Sequence, residues 1–125
     1  MTEEHAFSVE EAEALLPWLG ELLPRIRAAR QVVLAGAQRI RRTAQGNGAV
    51  AGEQARGYRD ALSELRRDVE AITERGIVLR DPETGLVDFP TTRDGREVFL
   101  CWRMGEDRVA FWHGPESGFS GRRPL

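Results

Sequence analysis

The plausible metal ligands of this chain are few. They comprise two histidines, one cysteine and three carboxylates: His5, Cys101, His113, Asp81, Asp88 and Glu116. Zinc sites usually show ligand pairs at short spacing, such as C-x-x-C or H-E-x-x-H. Neither pair occurs in the sequence. The sequence therefore predicts no metal site.

His113 is predicted to end a strand, between Trp112 and Gly114. There its ring can bind a metal, act as an acid or base, or hydrogen-bond the C-terminal segment, and we favour the structural role. Other polar and aromatic residues of the second half complete a predicted ligand surface with it: Asp88, Trp102, Glu116 and Arg122. Asp88 or Glu116 would hold the tautomer of His113, and Arg122 would take a carboxylate or phosphate group.

Two helices are expected to support this surface. Ser8 and Glu11 form a capping-box pattern, and apolar residues at helical spacing continue to residue 45, with a kink predicted at Pro17. After a glycine-containing connector, residues 52–75 carry an apolar seam of alternating 3 and 4 spacing, closed by Gly76. The short connector predicts that the two helices form an antiparallel hairpin.

The periodicity changes after Gly76, and residues 77–113 predict an antiparallel β-meander. Turn residues occupy 81–85 and 93–95, and Pro90 is expected to end the strand over 86–89. The clearest strands are predicted over 97–103 and 108–113. The remaining residues, 114–125, contain several glycines and prolines and are expected to be an irregular tail.

The last predicted hairpin has consequences for the chemistry. A two- or four-residue loop pairs Leu100 with Phe111 and Val98 with His113, which puts Cys101 and His113 on opposite faces; a three-residue loop would swap the partners. In the first register Cys101 has no base beside it and is expected to be a buried, unreactive thiol. Both sheet faces are apolar in the middle, with Phe99 and Trp112 on the second face. The helices would cover one face, and the tail or a second subunit the other.

The composition is that of one ordinary domain, expected to span residues 1–125. The chain has 125 residues, 41% hydrophobic residues and a net charge of −2, which disfavours disorder and general attraction to nucleic acid. No membrane-spanning run and no secretory signal are found, and the single cysteine fits a reducing compartment, so we expect a cytoplasmic protein. Residues 25–42 contain six arginines and no acid, but the helix dipole already favours bases late in a helix.

Several segments resemble a bacterial family of unknown function, DUF2203. The resemblance covers nearly the whole chain and rests on residues 7–12 with Leu15-Leu16-Pro17, residues 81–90, residues 97–106, Phe111-Trp112-His113 and residues 118–122. It implies a small cytoplasmic bacterial protein with no established activity, and so supplies no catalytic residue. It concentrates the shared motif in the meander and tail, at Asp88, Trp102, His113 and Arg122.

The sequence therefore predicts an α+β fold, with a long antiparallel helical hairpin packed on a small antiparallel meander. A thin core and the second apolar sheet face suggest a homodimer. We favour a non-enzymatic binding module with a small anionic ligand. The first alternative is a small metal-dependent or acid–base enzyme using His113 with Asp88 and Glu116. The second is an RNA- or ribosome-associated hairpin using residues 25–42.

Overall fold

The computed structural model describes residues 6–45 and 52–125. His5 and most of the predicted connector lie outside the described residues. Helix α1 spans Val9–Ala14 and begins with the predicted capping box: the Glu11 amide donates to Ser8 Oγ (3.0 Å) and the Ser8 amide donates to Glu11 Oε1 (2.9 Å). Helix α2 spans Leu16–Gln45. The predicted kink is thus a break at Leu15, and Pro17 lies in the first turn of α2, where the missing N–H leaves no helical bond unmade.

Helix α3 spans Gly52–Glu74 and packs along α2. The pairing is antiparallel: Arg25 of α2 binds Asp68 late in α3, and Gly36 of α2 lies against Tyr58 early in α3, where an added Cβ would come within 2.5 Å of the ring. Gly76 ends α3 with a positive φ of 85°. The Ile77 amide then donates to Ile72 O, and the Gly76 amide to Thr73 O, which is a Schellman motif. The predicted helical hairpin is confirmed.

The sheet has five antiparallel strands in sequence order. They are β1 (Val78–Asp81), β2 (Leu86–Arg93), β3 (Arg96–Arg103), β4 (Phe111–His113) and β5 (Arg123–Pro124). The α+β class and the open meander are confirmed. The tail differs from the prediction, because it contains a 3-10 turn over Phe119–Gly121 and then β5 rather than only irregular chain.

Two strand boundaries also differ. Strand β2 continues through Pro90 to Arg93, and the Pro90 carbonyl accepts a hydrogen bond from the Phe7 amide (2.8 Å). Pro90 pairs with Phe99 of β3 on one side, but its carbonyl, and with it the missing N–H, point to the other side, where the N-terminal segment lies. The missing N–H therefore breaks no ladder. Strand β4 begins at Phe111, three residues later than predicted, because the preceding residues are held elsewhere: the Val109 amide donates to Glu13 Oε2 (3.2 Å).

The predicted register of the last hairpin is wrong by one residue. Leu100 pairs with Trp112, Phe99 with His113 and Cys101 with Phe111. The connection runs from residue 104 to 110, and it is anchored by Trp102 Nε1, which donates to Glu106 O (3.0 Å), and by Glu13. These contacts replace the short loop on which the prediction depended. A shift of one residue moves every side chain of β4 to the other face.

The two sheet faces are consequently different. The helix-facing side carries Val87, Phe89, Leu100 and Trp102, packed on buried apolar residues of the helices: Leu19, Leu22, Leu23, Ile26 and Ile72. Trp112 lies on this side too, half-buried against the core, and not on the outer face where the sequence placed it. Among the described helices, none is long and apolar enough to cross a lipid bilayer.

Candidate functional site

A buried polar cluster occupies the outer face of the sheet. Asp88 of β2 pairs with Cys101 of β3, and His113 of β4 pairs with Phe99, so the alternation of side chains puts Asp88, Cys101 and His113 on the same side. Asp88, Cys101 and His113 are 1%, 1% and 3% exposed. The expectation that Cys101 and His113 lie on opposite faces is wrong, because it depended on the register that the structure corrects.

Asp88 lies between a histidine and an arginine. His113 Nε2 is 2.9 Å from Asp88 Oδ2, and Arg80 Nε donates to the same oxygen at 2.7 Å. Arg80 lies where the β1–β2 register shifts between Leu79 and Asp81, an irregularity that turns a side chain out of the regular alternation. Its guanidinium also lies over the Phe99 ring (5.0 Å), which stacks on His113 (5.4 Å between centroids).

The hydrogen bonds of His113 restrict its protonation. Nδ1 lies 2.8 Å from the Gly114 carbonyl oxygen, which can only accept, so Nδ1 carries a proton. Nε2 then faces Asp88 Oδ2 with a lone pair if the ring is neutral and the carboxylate is ionised. Two acceptors at 2.9 Å repel unless a positive charge lies between them. A proton between the two atoms makes this contact a hydrogen bond.

One oxygen of the buried carboxylate is left over. Asp88 Oδ1 is inaccessible to solvent and has no hydrogen-bond partner within the described part of the chain. A carboxylate oxygen of Asp88, Sγ of Cys101 and a ring nitrogen of His113 all lie within 4.8 Å of one another. Because a buried acceptor without a partner costs about 1–3 kcal/mol, Oδ1 has a strong preference for a donor or a cation.

The thiol of Cys101 is not activated. Burial, followed by the charge of Asp88, raises its pKa from 9.0 to about 12. At neutral pH the sulfur therefore stays protonated, and a thiol of this kind is a poor nucleophile. The closeness of Cys101 to His113 does not make a nucleophile–base pair, because the Nε2 atom of the histidine points to Asp88.

A pocket of about 330 Å³ lies over the cluster. Its floor consists of sheet residues, with Arg80 and Leu86 beside the three buried polar groups, and its wall is the tail segment 115–119, which includes Glu116. The tail therefore covers this part of the outer face within one chain. Glu116 is exposed at the wall, whereas Asp88 and His113 lie at the floor.

Two of the predicted site residues lie away from the pocket. Trp102 is buried on the helix-facing side. The Arg122 guanidinium donates to both oxygens of Glu106 (2.9 and 2.8 Å) and lies over the rings of Phe111 (4.0 Å) and Phe119 (4.6 Å). Its charge is already neutralised, and its side chain is 8% exposed. Arg122 therefore holds the tail on the sheet.

Sequence reasoning missed two residues of the site, Arg80 and Cys101. A signal for Cys101 was present: Asp94-Gly95 is a two-residue turn, with φ values of 53° and 76°, and such a turn pairs Arg93 with Arg96. Counting back along both strands puts Asp88 opposite Cys101. Arg80 had no such signal, because the irregularity in β1 depends on how the strand pairs.

Comparison with known proteins identifies a family. Residues 5–125 match the family described as "Uncharacterized conserved protein (DUF2203)". The chain belongs to this family. No curated protein and no solved structure matches the chain. The description of DUF2203 names no activity, so the function of this DUF2203 protein has to be argued from the geometry of the outer face.

Proposed function

We propose that this DUF2203 protein is a binding module for a small ligand, and that its site is the pocket between the outer sheet face and tail segment 115–119. The observation that carries the proposal is Oδ1 of Asp88, a buried acceptor with no hydrogen-bond partner in the described chain, in a residue that lines a pocket. A ligand that donates a hydrogen bond or carries positive charge would satisfy it.

The surroundings of Asp88 support binding rather than nucleophilic catalysis. Its second oxygen is held by Arg80 and His113, so the carboxylate is positioned before any ligand arrives. The thiol with a pKa of about 12 is not a nucleophile at neutral pH. A positioned acceptor without an activated nucleophile is typical of a recognition site.

A matched pair of variants tests the proposal. Stabilisation of the protein against heat is measured with separate probes: methylammonium, a simple alcohol and divalent metal ions. We expect at least one probe to raise the melting temperature of the natural protein and of Asp94→Asn, an exposed turn variant, but not of Asp88→Asn. The proposal fails if no probe stabilises the protein, or if Asp88→Asn responds as the control does.

An acid–base enzyme is the second candidate, and the His113–Asp88 contact of 2.9 Å favours it. Such an enzyme would use His113 as the acid or base, Asp88 to orient it and Glu116, at the pocket wall, as the second carboxylate. The observation against it is the burial of His113, which is 3% exposed. The test is whether the protein converts a substrate in a metal- or pH-dependent reaction. Loss of that activity in His113→Gln and in Glu116→Gln would favour the enzyme over the binding module.

An anionic ligand, the partner expected from the sequence, has weaker support at Arg122, because Glu106 already neutralises that guanidinium. A groove lined by Arg93, Trp112 and Arg123, which shares tail residues 115–117 with the pocket, offers other arginines. Arg93 and Arg123 lie over the Trp112 ring at 4.6 and 5.5 Å. Titration with inorganic phosphate, comparing the natural protein with Arg123→Gln, tests binding there. Unchanged binding in that variant would remove the groove from consideration.

Homodimer formation, a cytoplasmic location and the RNA alternative also remain proposals. Exposed apolar residues on α2 favour a dimer: Val32, Leu34 and Ile40 are 45%, 51% and 39% exposed. The buried free thiol of Cys101 favours a reducing compartment.

RNA binding has less support, because Arg25 binds Asp68 and both Arg27 and Arg30 bind Glu83. Sedimentation velocity and salt-dependent RNA titration test the dimer and the RNA alternative.

A further inference from the structure

Oxygen, sulfur and nitrogen ligands converge at the floor of the outer-face pocket. We infer that this pocket binds a divalent transition metal ion of the zinc type through Asp88, Cys101 and His113, an inference that rests on the proposed binding function and names its ligand. The three ligand atoms come from three adjacent strands and lie within 4.8 Å of one another. Rigid strands hold such a set better than loops do.

His113 has the surroundings of a metal-binding histidine. Histidines that bind metals through one nitrogen usually donate the other N–H to a carbonyl or carboxylate, which sets the tautomer and the ring orientation. Here Nδ1 donates to the Gly114 carbonyl (2.8 Å), and Nε2 is directed to the carboxylate of Asp88. The histidine is therefore oriented for coordination.

Asp88 can supply an oxygen without losing Arg80. Arg80 and His113 both contact Oδ2, whereas Oδ1 is buried and has no partner that the described residues provide. A metal at Oδ1 satisfies the leftover acceptor. Arg80 then holds the carboxylate from the other side, which is the role that outer hydrogen bonds have around metal ligands.

The sulfur selects the class of metal. Thiolate and imidazole ligands favour zinc and its neighbours, while magnesium and calcium prefer oxygen ligands alone. Cys101 binds as the thiolate: the S–H bond breaks, the sulfur keeps the electron pair for the metal, and the proton leaves to solvent. Three protein ligands leave a fourth tetrahedral position for water or a small molecule in the pocket.

The spacing is compatible with such a site after small side-chain movements. Ligand atoms of a tetrahedral zinc ion, at bond lengths of about 2.0–2.3 Å, lie about 3.5 Å apart. The three ligand atoms lie within 4.8 Å of one another, and His113 Nε2 is 2.9 Å from Oδ2, the other oxygen of Asp88. A bound ion would therefore draw the ligand atoms together by at most about 1.3 Å.

Cobalt(II) titration of the metal-free full chain tests the inference, since tetrahedral cobalt–thiolate sites have visible bands and a sulfur charge-transfer band. We expect saturable binding of one ion per chain in the natural protein and in the exposed turn control Asp94→Asn. Cys101→Ser should lose the charge-transfer band and bind at least about tenfold more weakly, and His113→Gln should also weaken binding at least about tenfold. Magnesium should not compete.

A second measurement needs no variant and so does not depend on whether the variants fold. X-ray absorption of the zinc-loaded natural protein should report one sulfur at about 2.3 Å with lighter nitrogen or oxygen neighbours. Absence of saturable cobalt or zinc binding overturns the inference, and so does a loaded protein without a sulfur ligand. If metals do not bind but methylammonium or an alcohol still gives an Asp88-dependent stabilisation, the metal inference falls and the proposed binding function stands.

Discussion

The two faces of the sheet illustrate two different uses of burial. On the helix-facing side, Val87 and Phe89 of β2 are fully buried among apolar side chains, and removing their apolar surface from water stabilises the fold. On the outer face, Asp88, which lies between them in the same strand, is equally buried but among charged and polar groups. Adjacent residues of one strand thus belong to a core and to a candidate site.

A second buried carboxylate sharpens the contrast. Asp68 of α3 uses both oxygens in a two-pronged contact with Arg25, at 3.1 and 2.8 Å. Asp88 uses only one oxygen for two partners and leaves the other without any among the residues that the structure describes. A carboxylate whose bonds are complete has a structural role, whereas one with an oxygen left over is suited to a ligand.

The largest effect is expected on the helix-facing side. Phe89→Ala removes a side chain that is 0% exposed and packs edge-on against Phe7 at 5.3 Å. The transfer and cavity costs together should lower the free energy of unfolding by about 3–5 kcal/mol. Urea denaturation checks this. The matched outer-face control, Phe119→Ala, should cost much less, because Phe119 is 40% exposed; equal losses would contradict the contrast between the faces.

Replacement of the outer-face carboxylate should have an intermediate effect. Asp88→Asn keeps the shape but weakens the bonds to Arg80 and His113, so we expect a loss of about 1–3 kcal/mol in the metal-free protein. Chemical denaturation at neutral pH measures it. If Asp88→Asn were as stable as the natural protein, the hydrogen bonds of Asp88 would not outweigh the free-energy cost of burying its charge.

The raised pKa of Cys101 predicts a loss of stability at alkaline pH in the metal-free protein. Between pH 9 and 12 the unfolded thiol loses its proton while the folded thiol keeps it, so the folded state binds more protons and the free energy of unfolding falls as pH rises. The fall should be about 1 kcal/mol from pH 9 to pH 10. Denaturation curves of Cys101→Ala should lack this fall, and identical pH dependence in both proteins would refute it.

The smallest effect is expected at the completed carboxylate. Asp68→Asn weakens the contact with Arg25, whose side chain is 55% exposed, so solvent screens much of the attraction. We expect a measurable destabilisation that is smaller than that of Asp88→Asn, and no change in ligand or metal binding. A larger loss than at Asp88 would reverse the ranking of the two carboxylates.

The site could be predicted from the sequence only in part. The strand and turn patterns placed Asp88 and His113 in the meander, and the Asp94-Gly95 turn contained enough information to pair Asp88 with Cys101. The position of His113 depended on the connection between β3 and β4. Contacts of Val109 with Glu13 and of Trp102 with Glu106 hold this connection, and the β3–β4 pairing is one residue away from the predicted register. The contact of Val109 with Glu13 joins residues 96 positions apart, and no local pattern records it.

Local patterns in the sequence determined the helix start at Ser8, the helix end at Gly76, the tight turns and the alternation of side chains within each strand, because these features depend on neighbouring residues and on backbone sterics. Only the tertiary structure decided which strand residues face each other across β3 and β4 and how the tail covers the outer face. Pairing register is a long-range property, and a shift of one residue brings Cys101 and His113 to the same side as Asp88.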